Sequence, residues 1–119
     1  MKKCILVYED DSEILDLCRM ILEGPDRRVE MKMRCDDIIA DIEQFEPDIV
    51  LMDLWIPEMG GEKAVHLMKT NPSAKHIPVI LFSAHPEIEQ VSKKVKAEGY
   101  LSKPFDITHL KGIIEKNIL

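Results

Sequence analysis

Short apolar runs alternate along this chain with longer stretches in which apolar residues recur at helical spacing. The continuous apolar runs cover residues 4–8, 49–52 and 79–82. Such a run is typical of a parallel strand that is covered by helices on both faces. Strands that alternate with helices in this way form β/α units, so the sequence predicts an α/β fold built on a parallel sheet.

Two weaker strands and five helices complete the predicted pattern. Residues 29–35 alternate between apolar and charged side chains, which is expected of an edge strand with one face in water. Residues 100–102 give a short last strand. Five apolar stripes predict helices: Ile14, Leu15, Leu17, Cys18, Ile21 and Leu22; Ile38, Ile39, Ile42 and Phe45; Ala64, Val65 and Met68; Ile88, Val91 and Val95; Ile107, Leu110, Ile114 and Ile118.

Acidic residues precede several of these helices and are expected to cap them. Asp11 or Ser12 is the expected cap of the first helix, Asp36 that of the second and Asp106 that of the fifth. The resulting order, βαβαβαβαβα, uses the whole chain. We therefore expect one domain over residues 1–119, with no room for a second one.

Charge and cysteine usage exclude several classes of function. The net charge of −6 leaves no broad cationic surface, so direct binding to nucleic acid is not expected. The apolar run near the amino terminus is too short for a signal peptide or a membrane span. Cys4, Cys18 and Cys35 lie in apolar stretches without paired spacing, which indicates reduced core thiols. A cytoplasmic protein without a membrane partner is expected.

Polar residues with chemical potential follow the predicted strands at their carboxyl ends. Glu9 and Asp10 follow the first strand, Asp53 the third, Ser83 the fourth and Lys103 the fifth. Ligands of open parallel α/β sheets bind beyond the carboxyl ends of the strands, near the point where the strand order reverses. These side chains are therefore expected to converge on one edge of the sheet.

The convergent acids need a cation. Two carboxylates about 4 Å apart repel each other by about 4 kcal/mol at an effective dielectric constant near 20. Carboxylates that leave positions open to water and phosphate oxygens suit Mg²⁺. Lys103 adds a fixed positive charge and Ser83 a hydroxyl group. A nucleophilic carboxylate, a metal and a fixed cation are the groups that phosphoryl transfer to a carboxylate requires.

Four segments of the sequence resemble the signature segments of response-regulator receiver domains, which are CheY-like and serve two-component signalling. They cover residues 5–11, 47–61, 78–84 and 99–105. The resemblance implies a doubly wound sheet of order 2-1-3-4-5, with Asp53 as the phosphoacceptor. It implies that Mg²⁺ is held by Glu9, Asp10, Asp53 and the backbone carbonyl of Trp55.

The same resemblance implies how a phosphoryl group would be bound and sensed. Ser83 and Lys103 would contact the phosphoryl oxygens, and the Lys103–Pro104 peptide bond would be cis. In the implied switch Ser83 shifts and Tyr100 turns inward, which changes the face formed by the fourth helix, the fifth strand and the fifth helix. Tyr100 is equally well read as an ordinary strand aromatic.

Family resemblance also implies the partners. The phosphoryl donor would be a histidine kinase or a histidine phosphotransfer protein, and the receiver of the signal a downstream protein. Homodimerisation through the face of the fourth helix, fifth strand and fifth helix is a further possibility that the resemblance raises.

Some positions depart from the usual receiver pattern. Glu9 stands where aspartate is more frequent, and Ser83 where threonine is also common, but both keep the needed chemistry. The segment from residue 83 to residue 103 is about two residues shorter than is typical. His85 lies within this segment and is the histidine nearest to the predicted acceptor.

Alternative functions compete with the receiver interpretation. A haloacid-dehalogenase-type phosphatase would also use an aspartate nucleophile and Mg²⁺, but it would want a second aspartate where this chain has Trp55. A pseudo-receiver that acts only as a scaffold would not need the complete set of acids and Lys103. Flavodoxin-like electron transfer would need a phosphate-binding loop after the first strand. The sequence therefore favours a signalling domain, which phosphorylates and dephosphorylates itself, over a turnover enzyme.

Overall fold

The continuous apolar runs form the centre of one parallel sheet in the computed structural model, which describes residues 2–118. The strands are β1 (Lys3–Tyr8), β2 (Arg27–Lys32), β3 (Ile49–Asp53), β4 (Val79–Ser83) and β5 (Gly99–Ser102). They pair in parallel in the order β2-β1-β3-β4-β5. Every residue of β3 and β4 is buried, because helices cover both faces of these strands. The predicted fold class and the implied strand order are confirmed.

The edge strand β2 is shorter than predicted. It ends at Lys32, and Met33 is 51% exposed. The alternation of side chains continues to Cys35, which is buried. However, the backbone N–H of Cys35 donates to the carbonyl of Pro57, at 2.8 Å, in the loop that follows β3. The prediction of a strand to residue 35 is therefore wrong, because this backbone pairs with a loop and not with β1.

Five helices cover the sheet in two layers. They are α1 (Ser12–Leu22), α2 (Ile38–Phe45), α3 (Gly61–Thr70), α4 (Ile88–Val95) and α5 (Ile107–Asn117). Helices α1 and α5 bury their stripes in one apolar cluster with the sheet, and α2, α3 and α4 bury theirs in a second cluster on the opposite face. This two-sided burial explains the continuous apolar character of the central strands.

The cap of α2 differs from the prediction. The side chain of Asp37 accepts the N–H of Ala40 at 3.1 Å, so Asp37 is the capping residue. Asp36 instead forms an exposed ion pair with Arg34, at 2.7 Å. The predicted cap at Asp36 is wrong because the nearby guanidinium binds this carboxylate and leaves the next one for the helix.

Helices α1 and α5 begin at the predicted caps but have narrower apolar faces. Asp11 and Asp106 both accept backbone N–H groups of the first turn. Leu17 is 36% exposed and Ile107 is 54% exposed, although both belong to the predicted stripes. Each lies at the margin of its helix's apolar face or at its first turn, where the sheet does not cover it.

A lysine clamps the amino-terminal edge of the sheet. Lys69 Nζ, in α3, contacts both carboxylate oxygens of Glu98 at 2.7 and 2.8 Å and the carbonyl of Ile77 at 3.1 Å. Glu98 in turn accepts the N–H of Val79, the first residue of β4, at 2.7 Å. This contact joins α3, the start of β4 and the turn into β5 at the end of the sheet opposite to Glu9 and Asp53.

The topology brings two separated chain segments together at the other edge. Strands β1 and β3 are neighbours, and the chain leaves them toward opposite sides of the sheet, so the strand order reverses between them. Glu9 follows β1 and Asp53 ends β3. The Lys103–Pro104 peptide bond, which follows β5 at the same edge, is cis, as the resemblance implied.

The helices are short. The longest described helices have 11 residues, and none in the described part of the chain is long and apolar enough to cross a membrane.

Candidate functional site

Three acidic side chains meet at the reversal point of the sheet. Glu9, Asp10 and Asp53 each offer a carboxylate oxygen, and these oxygens lie within 4.8 Å of one another. Glu9 is 1% exposed and Asp53 is 6% exposed, whereas Asp10 faces solvent. Two of the three charges are thus largely removed from water, which strengthens their mutual repulsion.

Lys103 supplies the positive charge of the site. Its ammonium forms an ion pair with Glu9 and lies 3.5 Å from Asp53 Oδ2. It also sits 4.7 Å from the ring centroid of Phe82, a distance at which a cation is attracted to the face of an aromatic ring. Only 19% of the Lys103 side chain is exposed. The lysine is therefore held over the acids by three neighbours before any ligand is bound.

The pKa of the Glu9 carboxyl group is changed by its position in this cluster. Burial raises its pKa to about 7, and the neighbouring Asp53 adds to the increase, while Lys103 opposes it. Its Oε2 accepts the backbone N–H of Asp10 at 2.9 Å. Without a further cation, one lysine only partly balances the buried negative charge.

Ser83, Trp55 and His85 form the rim of the site. Ser83 ends β4, is 2% exposed, and accepts the N–H of His85 through its hydroxyl oxygen at 3.0 Å. The backbone N–H of Trp55 donates to Asp53 Oδ1 at 3.2 Å. The Trp55 side chain is 66% exposed, and its ring meets that of His85 edge to face, with the centroids 5.5 Å apart. The rings of Trp55 and His85 thus pack against each other, and the Trp55 backbone contacts the Asp53 carboxylate.

The first residue of α3, Gly61, packs directly against the backbone of Asp53 and Leu54. Gly61 donates its N–H to the carbonyl of Leu54 at 2.8 Å. A Cβ atom at Gly61 would lie 2.5 Å from the carbonyl oxygen of Asp53, so only glycine fits this close approach. The turn that carries the Asp53 side chain is therefore seated directly on α3.

The structure brings the side chains of five of the seven predicted residues together, places the Trp55 backbone beside Asp53, and leaves Tyr100 apart. Tyr100 lies within β5, where it is opposite Leu81 of β4, and its side chain is half-buried against the cluster of α2, α3 and α4. It does not belong to the acid cluster. The residues that converge on the site are Glu9, Asp10, Asp53, Ser83 and Lys103.

Sequence reasoning missed two neighbours of the site. Phe82 supports the Lys103 ammonium, and Tyr8, directly before Glu9, carries a buried hydroxyl group that bonds to Asp41. A signal for Tyr8 was present, since a phenol in an otherwise apolar buried strand must find a hydrogen-bond partner. Phe82 gave no such signal, because an aromatic residue in a buried strand is explained by packing.

Comparisons with known proteins identify the family of this chain. The sequence matches the response regulator receiver domain family over residues 5–115. It is 30% identical to the DNA-binding transcriptional regulator NtrC of Proteus hauseri, over 96% of this chain and 24% of that protein. The chain spans less than half the length of the first curated relatives that it matches.

Solved structures show the same fold. The chemotaxis response regulator CheY4 of Vibrio cholerae superposes with a TM-score of 0.88 at 22% identity, over 99% of this chain and 100% of that one. The receiver domain of a sensor histidine kinase from Pseudomonas aeruginosa, described with a magnesium ion coordinated in its active-site cleft, gives a TM-score of 0.85 at 21% identity, over 98% of each chain. With the family match and this fold, the chain belongs to the response regulator receiver domain family.

Proposed function

We propose that this receiver takes a phosphoryl group on Asp53 from a histidine kinase or a histidine phosphotransfer protein, in a reaction that requires Mg²⁺. The observation that carries the proposal is the position of Asp53. Its carboxylate ends a buried strand, lies 3.5 Å from Lys103 and shares the reversal point of the sheet with two other acids. No other acid in the described residues combines these three features.

The donor atoms of the site fit a hard divalent cation. Three carboxylate oxygens within 4.8 Å of one another match the oxygen preference of Mg²⁺, and exposed Asp10 leaves room for water. Glu9, Asp10 and Asp53 would hold the ion, together with the carbonyl of Trp55. When bound, Mg²⁺ would neutralise charge on the oxygens of the transferred group.

The protein's own groups divide the remaining work. A carboxylate oxygen of Asp53 attacks phosphorus as the bond from phosphorus to the donor's histidine nitrogen breaks. Lys103, already oriented by Phe82, balances the charge of a phosphoryl oxygen, and the Ser83 hydroxyl group donates to another. The backbone N–H of His85 donates to Ser83 Oγ in this structure. A shift of the Ser83 side chain would break this hydrogen bond and free the first residues after β4 to move.

Loss of the bond between Ser83 and His85 would link phosphorylation to a conformational switch in the segment that contains α4. Ser83 and Tyr100 lie at the two sides of the segment that contains α4. We propose that phosphorylation moves this segment, turns the half-buried Tyr100 inward and alters the face of α4, β5 and α5. A downstream protein, or a second copy of the chain in a homodimer, would read this face. We further propose residues 1–119 as one receiver domain, and the cytoplasm as its location.

The proposal includes signalling without turnover of an external substrate. A phosphatase of the haloacid-dehalogenase type would want an acid where Trp55 stands, and the Trp55 backbone N–H here binds the Asp53 carboxylate. No observation favours the phosphatase or the scaffold alternative.

Intact-mass measurement with acetyl phosphate tests the proposal. The wild-type protein should gain one phosphoryl group with Mg²⁺ and none when the cation is chelated, and Asp53→Asn should gain none under either condition. Asp11→Asn is the matched control, because it removes a nearby exposed charge and keeps a capping side chain. It should be labelled like the wild type. Equal labelling of Asp53→Asn would show that another residue is the acceptor.

A further inference from the structure

A hydrogen-bonded network of three side chains lies beside the acid cluster. Tyr8, in β1, donates its hydroxyl hydrogen to Asp41 Oδ2 at 2.6 Å. Lys32, in β2, donates from Nζ to Asp41 Oδ1 at 3.1 Å. Tyr8 is fully buried and Asp41, in α2, is 7% exposed. Three elements of the fold are thus joined through one buried carboxylate.

Filling this part of the core with polar side chains costs desolvation free energy. The other buried residues of β1 are apolar or cysteine, and an apolar side chain at position 8 would need no hydrogen-bond partner. Burial and the hydrogen bond to Asp41 raise the pKa of Tyr8 far above its ordinary value, so its hydroxyl group stays protonated and donates. A buried ion pair is weak evidence for a gain in stability, so the network calls for an explanation in terms of geometry.

The network closes into a ring through Glu9. Tyr8 and Lys32 are opposite each other in the last rung of the β1–β2 pairing. The backbone N–H of Glu9, the next residue, donates to the carbonyl of Lys32 at 3.0 Å. Lys32 is therefore held at both ends, by Glu9 through its carbonyl and by Asp41 through its ammonium, and Asp41 holds the hydroxyl group of Tyr8.

This closed hydrogen-bonded network lies at the point where Glu9 follows the last residue of β1. The Tyr8 side chain lies in the apolar cluster of α2, α3 and α4, and successive residues of a strand point to opposite faces. Fixing the Tyr8 ring therefore fixes the peptide unit from which Glu9 projects. On its other side Tyr8 is opposite Met52, the residue before Asp53. Tyr8 thus directly precedes one buried acid of the site and is paired with the residue that precedes the other.

We propose that Tyr8, Asp41 and Lys32 form a positioning device that sets the place of the Glu9 carboxylate in the divalent-cation site. This inference rests on the proposed function. The three residues do not touch the cation or the phosphoryl group; they act through Glu9. Cation sites depend on such outer partners because small displacements of a ligand oxygen weaken coordination.

Tyr8→Phe is the sharpest variant, since it removes one oxygen atom and keeps the buried ring. Mg²⁺ is titrated into the folded protein, and binding is followed by Trp55 emission and independently by the amide shift of Asp10. The dissociation constant should rise about tenfold, the low end of the range for outer partners of metal ligands. Asp41→Asn should show the same direction of change, which protects the test if one variant folds poorly.

Asp48→Asn is the matched control. Asp48 Oδ2 accepts the N–H of Cys4 at 2.7 Å, so it also anchors β1 through a carboxylate, but at the opposite end of the strand. Urea unfolding will show a loss of stability in all three variants. Mg²⁺ affinity should change only in Tyr8→Phe and Asp41→Asn, because a purely structural role would not separate the two ends of β1.

A second measurement needs no metal. Hydrogen exchange at the Glu9 amide should become faster in Tyr8→Phe, while the amides in the rest of β1 keep their protection. Wild-type Mg²⁺ affinity and wild-type exchange at Glu9 in Tyr8→Phe would overturn the inference and leave the proposed function intact. A wild-type protein that binds no Mg²⁺ would overturn the proposed function, and the exchange at Glu9 would then still decide whether the network positions this residue.

Discussion

Replacement of Gly61 by alanine should disturb the Asp53 turn directly. The added Cβ atom would lie 2.5 Å from the carbonyl oxygen of Asp53, 2.7 Å from Leu54 Cα and 3.0 Å from the Leu54 carbonyl oxygen. All three neighbours are backbone atoms, so no flexible side chain can move aside. Either α3 moves away from the turn, or the turn that carries the Asp53 carboxylate shifts.

The size of the effect follows from two opposing contributions. Inserting a methyl group into a packed region costs typically about 1–3 kcal/mol. Alanine gains up to about 1 kcal/mol over glycine inside a helix, and less at the first position, which Gly61 occupies. The net loss should be about 1–2 kcal/mol, which changes the ratio of folded to unfolded protein by about 5- to 30-fold.

Urea unfolding, with Gly112→Ala as matched control, measures this loss. Gly112 lies inside α5, and a Cβ atom there would meet nothing within 4 Å. The control should therefore become more stable by about 0.5–1 kcal/mol, because alanine has the higher helix propensity. The urea midpoint should fall in Gly61→Ala and rise in Gly112→Ala.

Phosphorylation by acetyl phosphate provides the functional half of the test. Gly61→Ala should be labelled more slowly than the wild type even where it is fully folded, since a misplaced nucleophile reacts slowly. Gly112→Ala should react at the wild-type rate. If Gly61→Ala matched the wild type in both stability and labelling rate, the direct seating of the Asp53 turn on α3 would be refuted.

Lys103→Ala should still bind Mg²⁺ but fail to pass the change to β5, so beryllofluoride should produce smaller amide shifts along residues 84–100 than in the wild type; wild-type shifts would contradict this. Mg²⁺ and then a phosphoryl donor should change Trp55 fluorescence in two separable steps, and a flat response in protein shown by mass to be phosphorylated would exclude the placement of the ring. Trp55→Asn should shorten the lifetime of the phosphorylated state, because we expect the bulky ring two residues after the acceptor, packed against the His85 ring, to hinder attack by water; equal or slower decay of the mutant mass would show otherwise. Burial raises the pKa of the Cys18 and Cys35 thiols from 9.0 to about 11, so the unfolded chain loses these protons first and stability should fall as the pH rises from about 9 toward about 11. Urea midpoints across this range test the slope, which should be smaller in Cys18→Ala.

The central sheet could be predicted because burial on both faces leaves a direct mark on the sequence. Strand β3, for example, is an unbroken apolar run that ends in Asp53. The convergence of Asp53 with Glu9 and Lys103 followed from topology, because carboxyl ends of parallel strands share one edge. These features depend on local composition and on a general rule of the fold.

Other features depended on contacts between distant segments. Asp36 and Asp37 are equivalent by sequence, and only the partner of Asp36 decides which of them caps α2. The hydrogen bond from Tyr8 to Asp41 joins residues 33 positions apart, so the sequence around either residue could not predict its partner. The alternation of apolar and charged residues that predicted β2 continues past Lys32 to Cys35, where the strand has already ended. Cys35 keeps a buried position because its backbone pairs with the loop after β3.

The Lys69–Glu98 clamp determines how the segment from β4 to β5 can move. One end of this segment is tied to α3 by Lys69, whose side chain is only 12% exposed, whereas at the other end the Ser83 hydroxyl oxygen accepts the N–H of His85. A displacement that starts at Ser83 is therefore expected to swing α4 about a fixed pivot at Glu98. The helix would act as a lever, with its largest travel next to the phosphoacceptor and its smallest at the clamp.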